Sequence, residues 1–358
     1  MNIENVNRLP AITWRHLKIN DTIIENLPES IEKNNFSTFS SVSGITCTDQ
    51  VNTLSAIETG MGKAAEDYVT ANANVVNHFQ ITQSTKDPVF LSYSMSNKLS
   101  AVVSSQEIVT EAGTEVSFLF DYNSCDDSSV FHAGTTKIHA KSGSLVKLIY
   151  VQTLNDISLS WENLGIQLDD DARVEVTQIL LGSKRALSGI KAKLAGNKSN
   201  FKLNCVYFGT EEQNIDLNFV SDHFGCDTNT DIVVEGALAG SAVKTLRSTV
   251  DFKSGAKRSV GRESEDVLLF SPTVRNRTVP LILCAEEDVE GQHAASVGKI
   301  DHDKLFYLQS RGLSELDAKK LLLEAKFSSA VEQIPNEDIQ NRVRAYLERS
   351  VDANADNF

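Results

Sequence analysis

Val116-Ser-Phe-Leu-Phe-Asp-Tyr122 is the stretch from which the fold is read. Valine, phenylalanine and tyrosine suit a pleated, half-buried surface better than a helix. Lys147-Leu-Ile-Tyr-Val151 has the same character. Further on, Phe201, Leu203 and Cys205 alternate with polar residues, and so do Ile215, Leu217 and Phe219. That period of two marks strands with one buried face. Turn chemistry recurs between the runs, at Ala112-Gly113, Ser142-Gly143, Asp169-Asp-Asp171, Gly196-Asn197, Gly209-Thr-Glu, Ala239-Gly240 and Ser254-Gly255. From roughly residue 88 to 285 no helix-length amphipathic pattern intervenes, which argues against a βαβ sheet. A sandwich, a barrel and a β-solenoid remain. About 200 residues of continuous strand is long for a simple sandwich, and a solenoid grows by adding rungs. However, the turns fall at irregular spacings and give no clean period.

Both flanks read as helical. In residues 1–87, Val51 to His78 carries Val51, Leu54, Ile57, Ala64, Tyr68 and Val69 at helix-like spacings. Gly60 and Gly62 interrupt the pattern and point to two helices. Leu9-Pro-Ala-Ile-Thr-Trp-Arg-His-Leu17 reads as an anchoring segment with Trp14 buried against the body. In residues 299–358, Asp301 or Asp303 caps a helix through Leu305-Phe-Tyr-Leu-Gln-Ser-Arg311, and Gly312 suits the position after its end. Ser314-Glu-Leu-Asp317 opens the next helix, which carries Leu316, Leu321, Leu322, Ala325 and Val331. Pro335-Asn336 breaks it. The last helix has Ile339, Val343 and Leu347 on one stripe and frays from Asp352. The expected organisation is therefore a helical region at 1–87, a strand core at 88–298 and a C-terminal helical domain at 299–358.

Composition excludes several function classes. The 358 residues, 41% hydrophobic and 23% charged, carry a formal net charge of −14. That balance disfavours nucleic acid, whose binders displace counterions with Lys and Arg, and anionic lipid surfaces. No apolar run approaches a membrane span. The start Met1-Asn-Ile-Glu-Asn-Val-Asn7 lacks the basic and apolar parts of a secretory signal, so a cytoplasmic location is expected. The five cysteines are scattered and form no Cys-x-x-Cys pair. That speaks against a disulfide framework and against a closed zinc or iron–sulfur site made by this chain alone. Neither a Gly-x-x-x-x-Gly-Lys-Ser/Thr loop nor a Gly-x-Ser-x-Gly elbow occurs.

One histidine stands out. In Glu287-Asp-Val-Glu-Gly-Gln-His-Ala-Ala-Ser-Val-Gly298, His293 sits among small residues after Glu286, Glu287, Asp288 and Glu290. Taken from these residues alone, the histidine reads as a helix-cap or turn residue with no ligand. The acids could attract a cation or hold the imidazole by hydrogen bonding, but for any one of them a solvated surface is the better reading. Cys284 follows an apolar run and reads more readily as a small buried hydrophobe than as a ligand. His223-Phe-Gly-Cys226 reads as a turn between strands. His132 and His139 read as surface positions on neighbouring strand segments, and Asp169-Asp170-Asp171 as a solvated turn.

The tract Pro280 to Leu313 contains His-Ala-Ala-Ser-Val-Gly and then Leu-Phe-Tyr-Leu-Gln-Ser-Arg-Gly. It resembles the signature of the SufB/SufD family, scaffold subunits of the SUF iron–sulfur cluster assembly machine. The resemblance extends upstream through Val250-Asp-Phe-Lys-Ser-Gly-Ala-Lys257 and downstream to about Phe327. It implies a mainly β fold, a right-handed parallel β-helix flanked by N-terminal and C-terminal helical regions. Within the family the chain is nearer the SufD branch. SufB members carry a sulfur-accepting cysteine where this chain has Glu265 or a near neighbour, and glutamates beside the histidine where it has Gln292 and Ala294. Many SufD members carry a cysteine two residues before the histidine; here that residue is Gly291.

The resemblance implies a non-enzymatic, SufD-like scaffold that pairs with a SufB-like chain. His293 is then the candidate ligand for iron or a nascent cluster at the shared interface, with Cys284 a lesser candidate. The cluster or iron is transient and shared with the partner, and nothing is permanently bound. The C-terminal helices would dock a SufC-like ATPase through a region that begins at Leu305, Phe306, Tyr307 and Arg311; packing of these aromatics on the last rungs is the alternative. Two other readings are weighed. A β-helix carbohydrate-active enzyme needs paired carboxylates and aromatic platforms, yet the strand region has only Trp161 and no clear acid pair. A homodimeric SUF scaffold, the form open to the isolated chain, would lack the sulfur-accepting cysteine.

Overall fold

The computed structural model describes residues 1–13, 15–32, 42–50 and 53–353. Expectations for Trp14 and Val51 lie outside these residues. Strands β1 (Ile3–Val6), β2 (Thr22–Ile24) and β3 (Ile45–Thr48) precede helix α1 (Lys63–Asn72). A long series follows: β4 (Val75–Ile81), β5 (Val89–Met95), β6 (Ala101–Thr110), β7 (Glu115–Ser124), β8 (Phe131–Ala140), β9 (Leu145–Leu154), β10 (Leu159–Leu168) and β11 (Arg173–Gly182). It continues through β12 (Arg185–Leu194), β13 (Asn200–Gly209), β14 (Asn214–His223), β15 (Asn229–Leu238), β16 (Val243–Phe252), β17 (Ser259–Leu269), β18 (Arg275–Cys284) and β19 (Val289–Lys299). Helices α2 (His302–Ser310), α3 (Glu315–Val331) and α4 (Glu337–Ala353) end the chain.

From β4 onward, even-numbered strands stack in parallel in one sheet and odd-numbered strands in a second, making a parallel β-solenoid of about eight turns. This is the architecture implied by the family resemblance. β3 closes the first sheet by pairing antiparallel with β4. Successive first-sheet strands from β6 begin at Ala101, Phe131, Leu159, Arg185, Asn214, Val243 and Arg275, so coil length varies between 26 and 32 residues. Variable turns explain why no fixed period is legible. The strands themselves keep register without a slip, as in Leu159↔Arg185 through Leu168↔Leu194.

Alternation then sorts the side chains. Residues of one parity fill the solenoid, where the core runs from Phe79 through Leu164 and Phe219 to Leu246 and Val267. Register puts aromatic side chains over one another: Tyr93 stacks on Tyr122 at 5.2 Å and Phe120 on Tyr150 at 4.8 Å between centroids. Residues of the other parity make two apolar outer faces, and each flank covers one. The N-terminal segment places Ile3, Val6, Met61, Tyr68 and Val69 on Val103, Phe131, Trp161 and Leu187 of the first sheet. Helices α3 and α4 place Leu323, Phe327, Val343 and Leu347 on Leu119, Val151, Ile179 and Phe208 of the second.

The flanks differ from the sequence reading in several places. Among the described residues, 1–87 holds one α-helix rather than two, and the strands of the solenoid begin at Val75 rather than near residue 88. Gly62 starts α1 at a φ of 89°. Gly60 lies flat on the first sheet: a Cβ there would sit 2.1 Å from Ile190 N. The glycines therefore mark a backbone seated on a sheet, not a break between helices. Met61 N–H donates to Asn163 Oδ1 (2.8 Å), and Asn218 donates to Gly60 O (2.8 Å). Buried Arg247 ties the segment further, donating to Ile19 O (2.6 Å) and to Asp216 Oδ1 (2.7 Å). Asn7 shares that carboxylate at 2.7 Å. Leu9 is buried with Ile19 and Val279, which anchors the entry segment near the last coil.

At the other end Asp301 caps α2 and Ser314 caps α3, Gly312 adopts a φ of 96° after α2, and Ile339, Val343 and Leu347 face inward from α4. Leu321 is 45% exposed, because α3 meets the sheet through Ala318, Leu323, Phe327 and Ala330 instead. α4 runs on to Ala353, past Asp352; residues 354–358 lie outside the described residues. No helix among the described residues is long and apolar enough to cross a membrane.

Gly60→Ala tests the close approach of the N-terminal segment. The added methyl must displace backbone, so a loss of about 1–3 kcal/mol is expected, read from the urea midpoint. Faster amide exchange should appear first at residues 57–62.

Candidate functional site

Among the described residues the solenoid ends without a cap: β18 and β19 are the last strands of their sheets, and no described strand covers their free edges. The inward parity therefore emerges at this end, leaving Ile282 41% and Val297 48% exposed. His293 belongs to this terminal row. It is a strand residue of β19, aligned with Gly291, Ala295 and Val297 on one face by the period of two.

Register places Glu263 of the preceding coil directly over His293. His293 Nδ1 lies 3.6 Å from Glu263 Oε2, an ion-pair distance rather than a hydrogen bond. The ring is only 25% exposed although the backbone lies on the free edge, and the Glu263 side chain is 2% exposed. Burial pushes the Glu263 carboxyl up to about 7; a hydrogen bond from Ser248 and the charge of Lys244 pull the other way, and the charge of Glu265 adds to the rise. Glu263 therefore changes protonation near neutrality, next to a potential ligand.

A second ionic group sits one layer deeper. Lys244 of β16 forms an ion pair with Glu265 of β17, and neither side chain is exposed. Ions withdrawn from water need every donor and acceptor met. Lys244 also donates to Thr278 Oγ1 (3.0 Å) and Arg277 O (3.3 Å), and Thr278 donates to the other Glu265 oxygen at 2.6 Å. Burial lowers the Lys244 pKa, and the Glu265 charge opposes that shift. Cys205 lies beneath, its thiol pushed up by burial.

The structure rearranges several sequence expectations. The run Glu286, Glu287, Asp288 and Glu290 does not hold His293. Glu286 accepts from Gly255 N (2.9 Å), and Glu290 faces Arg262 at 3.6 Å and also accepts from Gln292. Strand parity turns Glu290 and Gln292 away from the side chain of His293. Cys284 is exposed at the end of β18, its thiol donating to Glu286 O at 2.9 Å, not buried as a small hydrophobe. His132 and His139 share β8 and point to opposite faces. His132 lies inside the solenoid, 3.2 Å from Glu162 Oε1, and His139 lies outside, 3.0 Å from Asp169. His223 is also buried, ending β14 at 2.7 Å from Thr228 Oγ1. Its neighbour Cys226 bonds instead to Gly255 O at 3.3 Å.

Glu263, Lys244 and Thr278 were absent from the sequence reading, and Glu265 entered it only as the place of a missing cysteine. Charged residues at alternate positions 263 and 265 of a strand offered a signal, but which parity faces inward depends on the stack.

Helix α2 projects from the last coil toward solvent. Phe306 is 72% and Tyr307 56% exposed, with Arg311 over the Tyr307 ring at 5.2 Å. Leu305 is half-buried. The two aromatics do not pack on the last rungs. Chemically, the open end offers an imidazole nitrogen and a carboxylate, donors that suit iron. No group of three or more His, Cys, Asp or Glu side chains poised for a metal ion forms among the described residues. A cargo ion held here would take its remaining ligands from another molecule.

Residues 92–326 match the family described as SUF system FeS cluster assembly, SufBD core domain. The iron-sulfur cluster assembly protein SufD of Bacillus subtilis is 24% identical over 246 residues, 68% of this chain and 56% of that protein. SufD of Escherichia coli is 21% identical over 235 residues, 66% and 56% of the two chains. An iron-sulfur cluster assembly SufBD family protein of Mycobacterium tuberculosis is 25% identical over 210 residues, 59% of this chain and 25% of that one. The chain thus spans little more than half the length of the two SufD relatives.

Two predictions follow from the buried charges. Glu263 has its pKa raised by folding, so its contribution to stability is complete below about 4.5 and is lost as pH rises through about 7. Urea unfolding of wild type should lose on the order of 3 kcal/mol more than Glu263→Gln between pH 4.5 and 8. Equal pH profiles would refute the assignment. Separately, Lys244→Met should cost about 3–5 kcal/mol by stranding Glu265, and Lys244→Met with Glu265→Leu should recover most of it. Thermal unfolding of the three proteins checks this.

Proposed function

Because the chain belongs to the SufBD family, we propose that it acts as a SufD-like scaffold subunit in iron–sulfur cluster assembly, with its uncapped end as the assembly face. The observation that carries the reading is the His293–Glu263 pair, partly shielded at an end with exposed apolar residues and two free strand edges. A SufB-like chain set against this end would cover Ile282 and Val297 and bring the ligands that this chain lacks. Iron or a nascent cluster is cargo there, transient and shared. The reading assigns no catalysis to this chain and carries a cytoplasmic location with it.

His293 has a defined part in this scheme. Its Nδ1 faces Glu263, so Nε2 is the nitrogen left for the metal. An ionised Glu263 sets its negative charge beside the Nδ1 side of the ring and favours a cation on Nε2, whereas a protonated Glu263 does not. Metal capture should therefore strengthen as pH rises through the range in which Glu263 ionises. Cys284, exposed at the same coil, remains a secondary ligand candidate. Phe306 and Tyr307, with Leu305 and Arg311, would anchor a SufC-like ATPase, since exposed aromatics with an arginine are the usual energetic centre of such contacts.

Co-expression of the chain with the SufB-like and SufC-like proteins of its own source tests the reading. A ternary complex with ATPase activity is expected. His293→Ala should leave complex and ATPase intact and lower cluster content at least tenfold. Phe306→Ala with Tyr307→Ala should release the ATPase but keep the SufB-like chain. Failure to bind either protein would overturn the proposal.

A further inference from the structure

A groove of about 590 Å³ runs where residues 26–32 of the N-terminal segment cross the corners that lead into β6, β8, β10 and β12. It is remote in the chain from the uncapped end. Lys98 lines it at the corner before β6, and Lys184 and Arg185 line it at the start of β12. Between them lie Ile157 and Leu159 of the β10 corner, Ile157 being 56% exposed. Strands stack about 4.8 Å apart, so the two cationic ends are separated by three spacings, about 14 Å at the backbone.

None of the three cations forms an ion pair among the described residues, and Glu32 is the one acid that lines the groove. Arg185 Nη2 donates to Thr22 Oγ1 at 2.8 Å, which fixes the guanidinium, yet its buried Nε has no partner. Asp216 and Glu25 act on Arg185 only through space, and Asp216 already serves Arg247 and Asn7. By contrast, in the groove between the same N-terminal segment and the Lys191 strand, three of the four lining cations, Lys63, Lys191 and Lys253, each have a carboxylate within 3.4 Å, and Arg8 has no ion pair among the described residues.

We propose that this groove binds an elongated organic anion: an acidic head at Lys184 and Arg185, an apolar body along Ile157 and Leu159, and a second acidic group at Lys98. The groove presents three cations without an ion-pair partner among the described residues around an apolar floor.

Titration calorimetry of the full chain with sebacate, decanoate and sulfate tests the proposal at constant ionic strength. Sebacate should bind one to one and at least tenfold more tightly than decanoate or sulfate. Lys184→Gln and Arg185→Gln should each weaken sebacate at least tenfold; the first alters an exposed turn residue and leaves the Thr22 contact alone. Lys98→Gln should abolish the preference for sebacate over decanoate and leave decanoate unchanged. Absence of saturable sebacate binding, or binding indifferent to Lys184→Gln, would overturn the proposal.

Discussion

In-register parallel stacking is the constraint on which the rest of the molecule depends. Each coil sets its residues over the equivalent residues of the coil before, so alternation along one strand becomes a column running the length of the solenoid. Columns of aliphatic side chains make the interior, and aromatic pairs such as Phe120 and Tyr150 stack because register leaves them face to face. The same rule sets local sequence. Gly236 lies beside Tyr207 of the preceding coil, and a Cβ at that position would sit 2.0 Å from its ring. A slip of one residue would reverse every column, which is why chain length varies in the turns and not in the strands.

A two-sheet solenoid also creates outer faces, and here both carry an apolar stripe. The two flanks meet that need in different ways. The N-terminal segment lies on the first sheet through irregular backbone and α1, fixed by Gly60 and by the buried Arg247–Asp216 pair. The C-terminal helices use ordinary amphipathic packing on the second sheet, supported by an ion pair from Arg342 to Asp121 and by Tyr346, which donates to Asp156 at 3.1 Å. Helix α2 joins the last coil to this packed pair but keeps its aromatic face in solvent.

The end of the stack is where its chemistry changes. The apolar column Phe118, Leu148, Val176, Leu203 and Ile232 becomes Glu263 and then His293 over the last coils, with the Lys244–Glu265 pair beside it. Buried ion pairs of this kind add little net stability against apolar replacements of similar volume. The Lys244–Glu265 pair lies one coil from the free edge of β19, beside a histidine of the terminal row. Glu263 joins the two parts, sharing the electrostatics of the deeper pair and lying within reach of the imidazole.

Local pattern was enough to read the strand-rich centre, the three C-terminal helices with their caps, and the tract around His293, since alternation, capping residues and a long signature are properties of neighbouring residues. Helix-like spacing misled in the N-terminal region, where Leu54 and Ile57 lie in non-helical backbone. There the sheet, not local propensity, decides the conformation. Of the acids beside His293 in the chain, Glu287, Asp288 and Glu290 are exposed, as the solvated reading has it; a strand turns consecutive side chains to opposite faces, so the neighbour of His293 lies one coil away, thirty positions earlier. The burial of His132 and His223, the exposure of Cys284 and the Lys244–Glu265 pair depend on which parity faces inward and on where the stack stops. The sequence by itself determined which segments become strands and helices. Only the tertiary structure decided which residues meet, because contacts in a solenoid are made between coils rather than along the chain.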